Sequence, residues 1–151
     1  MNTLPLFFKL ENQAVLIVGG GEVALRKATL LARAGAHITF IAKRYQTSLQ
    51  AAFGDQPQHT LHTGTYDSAL LTGKTLVIAC TDDTLLNEQI YRDCQARHIP
   101  VNVVDNPPLC TFIFPAIVDR DPITVAVSSA GKAPVLARLL RAKIETVIPP
   151  Q

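Results

Sequence analysis

The sequence predicts an α/β fold built on a doubly wound parallel sheet, followed by a small β-rich and helical segment. Three observations carry this expectation. Short apolar runs alternate with amphipathic stretches as far as Val104, a glycine cluster separates the first run from the first stretch, and the alternation stops at the pair Pro107-Pro108.

Taken in order, Ala14 to Val18 is an apolar run that reads as a buried strand, and Gly19-Gly20-Gly21 follows it directly. Glu22 to Ala34 then has helical character, with Val23, Leu30 and Leu31 apolar and Gly35 placed as a C-terminal stop. His37 to Ala42 supplies a second strand, which completes one βαβ unit. Gln46 to Phe53 reads as a short helix, Thr60 to His62 as a weak strand and Thr75 to Cys80 as a buried one. Asp83 to Arg97 reads as a helix with Thr81 or Asp82 as its N-cap, and Pro100 to Val104 as the next strand. Beyond Asp105 the prolines preclude a regular helix. Thr111 to Val118 and Ile123 to Ser128 are β-rich runs, joined by a turn-rich connector at Asp119-Arg120-Asp121-Pro122 that suits a hairpin or a crossover between partners. Ala133 to Val147 closes the chain as an amphipathic helix with Pro134 in its first turn. Its apolar stripe of Val135, Leu136, Leu139, Leu140, Ile144 and Val147 is either core or interface. The expected division is a nucleotide-binding domain over 1–110 and a β-rich dimerisation segment with its helix over 111–151.

At 151 residues and 48% hydrophobic content the chain can bury a core without disulfide or metal staples. No apolar run approaches the roughly 20 residues of a membrane span. The N-terminus lacks the basic and apolar regions of a secretory signal, and three widely spaced cysteines without a C-x-x-C pair suit a reducing compartment, so a cytoplasmic location is expected. A net charge of +2 is too small to suggest nucleic acid. Up to Asp105 nine acidic and nine basic side chains balance; after it five basic residues face three acidic ones, which suits an anionic small molecule.

Gly19-Gly20-Gly21-Glu22-Val23-Ala24 fits the G-x-G-x-x-A dinucleotide fingerprint and sits between a strand and a helix start, where a Rossmann-type sheet binds NAD or NADP. Gly19 permits the tight turn, Gly21 lets the backbone approach a pyrophosphate, and the free amides of the helix start bind the anion. The acidic residue usual at the end of the second strand is missing. Ala42 is followed by Lys43 and Arg44, which either receive a 2′-phosphate or are solvated surface cations. Asp105 ends a parallel strand at its carboxyl edge, which makes it either an acid–base group or the cap of the following turn. Ser128, Ser129 and Lys132 precede the last helix and either bind carboxylates or phosphate or serve as capping residues. His59 and His62 point to opposite faces of a strand-like stretch, and no His, Cys and carboxylate cluster has ligand spacing, so no metal-binding residue is expected.

In combination, Leu4-Pro5-Leu6-Phe7, the glycine segment with Arg26-Lys27, Thr81-Asp82-Asp83, Asn102-Val103-Val104-Asp105 and Ala126-Val127-Ser128-Ser129 resemble the sirohaem synthase family. The resemblance is to its N-terminal precorrin-2 dehydrogenase and sirohydrochlorin ferrochelatase module and covers nearly the whole chain. It implies a homodimeric enzyme that transfers a hydride from precorrin-2 to NAD and then inserts ferrous iron, a substrate, into sirohydrochlorin. Asp105 matches the aspartate implicated in both steps. Glu22, Val23, Lys43 and Arg44 fall where the family contacts NAD, which favours reading the last two as an NAD loop that binds mainly through backbone; with Gly19, Gly20, Gly21, Thr81 and Asp82 they make up the expected cofactor-binding residues. Ser129 matches a serine phosphorylated in the trifunctional form, and with Ser128 and Lys132 it belongs to a substrate-binding or regulatory segment. The chain departs at Ala130, where the family commonly has glycine. A chain that keeps the nucleotide fold without the chemistry, as a sensor or tetrapyrrole carrier, is the competing expectation.

Overall fold

The computed structural model describes residues 1–150, in two compact units: Phe7–Phe112, and Ile113 onward together with Met1–Leu6. In the larger unit, strands β1 (Ala14–Val18), β2 (His37–Ala42), β3 (Thr60–Thr63), β4 (Leu76–Ala79) and β5 (Val101–Val103) form one parallel sheet. The strand order is β3-β2-β1-β4-β5. Helices α1 (Glu22–Arg33), α2 (Thr47–Phe53) and α3 (Thr84–Ala96) connect them, with 3₁₀ turns at Ser68–Leu71 and Pro107–Leu109. This is the doubly wound arrangement expected. Its order reverses between β1 and β4, so a crevice opens at their carboxyl ends.

The central strands are apolar on both faces because both are covered, as parallel sheets require. Leu16, Val77, Ile90 and Val101 are fully buried in one cluster that joins β1, β4, α3 and β5. Such burial stabilises by roughly 1.5–3 kcal/mol per side chain. That outweighs the α3 cap, worth about 1 kcal/mol, so packing rather than local signals holds the helix. The cap itself is Asp83, whose carboxylate accepts the Leu86 amide at 3.1 Å. Neither Thr81 nor Asp82 has that role, because the helix begins one residue later than its apolar pattern implied. Gly35 ends α1 as expected. It adopts φ 84°, and the Gly35 amide reaches Ala32 O while the Ala36 amide reaches Leu31 O, the paired bonds of a left-handed helix stop.

In the smaller unit, β6 (Ala116–Arg120) and β7 (Ile123–Val127) pair antiparallel, and α4 (Pro134–Val147) follows. The strands form a hairpin rather than a crossover. Asp119 and Arg120 pair with Thr124 and Ile123 inside it, so the connector shrinks to Asp121-Pro122. Residues 111–115 are not strand, since Thr111 instead bonds back to Val101. Arg120 and Arg141 converge on Glu145 at 3.7 and 2.9 Å and tie the hairpin to α4.

His59 shows how the sheet's amino edge is closed. Its ring is buried against Phe53 at a centroid distance of 5.1 Å, and its Nδ1 accepts the Ile38 amide at 3.1 Å. That bond requires a neutral ring. Burial and then the neighbouring His37 lower its pKa below the usual 6.5. The unfolded chain takes up a proton near pH 6.5 that the folded chain refuses until lower pH, so stability present above 6.5 is lost as pH falls. Urea unfolding of wild type and His59→Gln between pH 7.5 and 5 should show a steeper loss in wild type; parallel curves would remove His59 from the acid sensitivity.

Candidate functional site

The crevice at the carboxyl edge is built mainly of backbone. Gly19 leaves β1 at φ 139°, and a Cβ there would stand 2.8 Å from Cys80 Sγ and 2.9 Å from its carbonyl oxygen. A Cβ on Gly20 would stand 2.1 Å from Arg44 O. Both positions therefore require glycine because other chain segments lie against them. Gly21 differs: its backbone is extended, at φ −95° and ψ −165°, and a Cβ would meet nothing within 4 Å. Open space thus lies ahead of α1, whose N-cap is Gly21 and has no side-chain cap. The amides of Glu22, Val23 and Ala24 precede the first intrahelical bond, Leu25 N to Gly21 O, so the helix start carries free donors. A pyrophosphate fits this cradle of open room, free amides and a partial positive charge.

The loop after β2 closes one side. Gly19 N donates to Ile41 O at 3.0 Å and Gln46 N to Gly20 O at 2.8 Å, so Lys43 and Arg44 lie on a segment fixed at both ends. The Tyr45 hydroxyl donates to His62 O, and burial pushes its pKa up to about 12. Across the crevice, Thr81 is fixed by Asn87: its hydroxyl donates to Asn87 Oδ1 at 2.6 Å, and Asn87 Nδ2 donates to Thr81 O at 3.0 Å. Asp82 beside it is exposed. Asn87 had no sequence signal, since a polar residue one turn into a helix reads as surface, yet it is buried.

Asp105 stands two residues past β5 at the same edge, exposed, with φ 60°. Aspartate and asparagine are among the few non-glycine residues that take this left-handed conformation readily. The turn is held by Asn106 N to Val103 O at 3.1 Å and by the Cys110 thiol donating to Val103 O at 3.1 Å. Asp105 does not cap the following 3₁₀ turn with its side chain. Lys27, named from sequence only with Arg26 beside the glycine segment, belongs to this edge too. Burial and then Arg26 lower its pKa, while Asp105, Cys80 and Cys110 act in the opposite sense. Cys80 itself is pushed up to about 12, mainly by burial, so its thiol is no nucleophile at neutral pH.

Ser128, Ser129 and Lys132 come together in the smaller unit, lining an open cleft of about 300 Å³ with Met1, Asn2, Thr3 and Ala130. Ser129 Oγ accepts the Ala133 amide at 2.9 Å and Ser128 Oγ the Ala130 amide at 3.1 Å. These bonds shape the turn. The N-cap of α4 is Ala133, without a side-chain cap, so neither serine caps that helix. Among the described residues no group of three or more His, Cys, Asp or Glu side chains could hold a metal ion.

Residues 6–116 match a family model described as "Putative NAD(P)-binding". The chain belongs to this NAD(P)-binding family. Residues 120–146 match a second model, "Sirohaem biosynthesis protein central". The chain is similar to a "Siroheme synthase" of Psychrobacter sp. (strain PRwf-1), 62% identical over 149 residues, which span 99% of this chain and 30% of that protein. A "Siroheme synthase" of Pseudomonas putida (strain W619) is 58% identical over 149 residues, 99% of this chain and 32% of that protein. The chain thus spans about a third of the length of these relatives. The solved structure titled "SirC, precorrin-2 dehydrogenase" superposes with a TM-score of 0.80 over 97% of this chain and 72% of that one, at 20% identity, and shares the fold. No helix among the described residues is long and apolar enough to cross a membrane.

The two inner glycines separate folding from binding. Gly21→Ala should keep stability within about 0.5 kcal/mol, since its Cβ enters open space, but should weaken dinucleotide binding by blocking the cradle. Gly20→Ala should lower both, because the Arg44 carbonyl must move. Thermal unfolding beside NAD titration checks the contrast; equal stability losses would contradict the geometry.

Proposed function

We propose that the chain oxidises precorrin-2 to sirohydrochlorin with NAD and then promotes ferrous iron insertion into the product. The observation that carries the reading is Asp105, an exposed carboxylate on the same sheet edge as the dinucleotide cradle. The two sirohaem-related similarities supply the substrate.

When bound, the nicotinamide supplies the hydride acceptor. Gly19, Gly20 and Gly21, with the amides of Glu22 and Val23, hold its pyrophosphate end, the loop carrying Lys43 and Arg44 borders the adenosine, and Thr81 and Asp82 border the opposite wall. Asp105 takes the proton released as the ring is oxidised. In the second step the same carboxylate accepts pyrrole protons while the macrocycle's four nitrogens receive the iron. No resident metal site is needed, because the substrate brings its own ligands. Ser128, Ser129 and Lys132 form a separate substrate-binding or regulatory segment, whose hydroxyl and ammonium donors suit carboxylates or phosphate. A non-catalytic sensor or carrier would keep the cradle but has no use for a left-handed aspartate at the sheet edge.

An anaerobic assay with precorrin-2 and NAD tests this. Wild type should yield sirohydrochlorin and NADH, whereas a chain that binds NAD without turnover is the sensor or carrier. Asp105→Asn keeps the backbone preference and removes basicity, so it should slow both steps by about a hundredfold or more with NAD affinity retained. Iron insertion at the wild-type rate, after correction for the uncatalysed reaction, would leave Asp105 only the first step.

We further propose a homodimer. Val135, Leu136, Leu139 and Leu140 on α4 are 59%, 54%, 63% and 44% exposed within one chain, so this stripe is not intramolecular core; only Ala137 of the helix is buried. Apolar surface in such a row marks an interface. Sedimentation at micromolar concentration should give a dimer, and Leu139→Glu should dissociate it; a monomeric wild type would end this reading.

A further inference from the structure

No acidic side chain occurs between Glu22 and Asp55, the stretch that contains α1, β2 and the loop after it. In dinucleotide-binding sheets that select the unphosphorylated cofactor, a carboxylate at the end of the second strand receives the adenosine ribose hydroxyls. The same charge repels a 2′-phosphate. Here that position holds Ala42, followed by Lys43 and Arg44.

The backbone under these cations is fixed on three sides. Gly19 N bonds Ile41 O, Gln46 N bonds Gly20 O, and Gly64 N bonds Ala42 O at 3.0 Å. Tyr45 locks the loop to β3 through His62 O and packs edge-on against Phe40. Lys43 and Arg44 themselves are exposed, and neither has an ion-pair partner among the described residues. A dinucleotide with its pyrophosphate at the start of α1 carries its adenosine toward this loop.

We propose that Lys43 and Arg44 make the site accept NADP as well as NAD, by pairing with the adenosine 2′-phosphate. The proposal rests on the dinucleotide reading above and adds its selectivity. A phosphate monoester carries nearly two negative charges at neutral pH and three acceptor oxygens. Arg44 can meet two of them with its planar fork, while Lys43 adds a point charge. With no carboxylate to receive the ribose hydroxyls, NAD is held by the cradle and the loop backbone alone. The phosphate's added pairing then offsets what NADP loses elsewhere.

Calorimetric titration of the whole chain with oxidised NAD and oxidised NADP, without tetrapyrrole, tests this. Wild type should bind both with dissociation constants within about tenfold of each other. In Lys43→Ser/Arg44→Ser the ratio of the two constants should shift toward NAD by about tenfold or more, as expected for lost charge-assisted pairs. Raising the salt should weaken NADP more than NAD in wild type, and this difference should shrink in the double variant. If wild type binds NAD and discriminates against NADP by more than about a hundredfold, or if the double variant leaves the ratio unchanged, the proposal fails while the dinucleotide site stands. If neither nucleotide binds, the dinucleotide reading fails and the proposal with it.

Discussion

The close approach of backbone to backbone at Gly20 is the constraint on which the rest of the larger unit depends. The end of β1, the loop after β2 and the start of α1 meet there, with no room for a β-carbon against the Arg44 carbonyl. Because the strands are parallel, each connection crosses back over the sheet, through a helix or, from β3 to β4, through a 3₁₀ turn, and the carboxyl ends are left as a row of loops. The bonds from Gly19 to Ile41 and from Gln46 to Gly20 turn the first two of those loops into one rigid wall. The loop after β4, at Cys80, lies against Gly19. The crevice is therefore also the knot of the fold, and its rigidity comes from main-chain contact rather than from side chains that sequence change could replace.

A division of labour follows among the glycines. Two are spent on packing and one on leaving space. The thiol of Cys80 is part of the packing, which explains why a sulfur so near the site is chemically quiet: burial holds it protonated. Lys27 experiences the same burial with the opposite consequence, since an ammonium is destabilised by desolvation and steadied by Asp105. The pair gives this edge of the sheet a local electrostatic balance that neither residue reveals alone.

Most of the sheet was legible from its alternation of apolar runs and helical stretches, because buried parallel strands leave a strong compositional trace: AVLIV and TLVIAC allow few other readings. The fingerprint was legible for the same reason, being tied to its place between strand and helix. Less was legible where the cause is tertiary. The α3 cap is Asp83 because the helix begins one residue later than its apolar pattern implied, and Thr81 is engaged instead by Asn87, six residues on. The hairpin turn was overestimated because Asp119 and Arg120 look like turn residues, yet Arg120 is held in β6 by Glu145 on α4. The last helix displayed its apolar stripe plainly, but whether that stripe faced inward depended on how little the small unit offers to cover it.

The left-handed backbone of Asp105 limits how this chain can vary. A carboxylate one methylene longer belongs to a residue that takes that conformation poorly, and alanine or a branched residue fares no better. The practical neighbours in sequence space are asparagine and glycine, and both abolish basicity. A change at this position therefore gives up either the backbone conformation or the carboxylate, so the aspartate has no equivalent replacement.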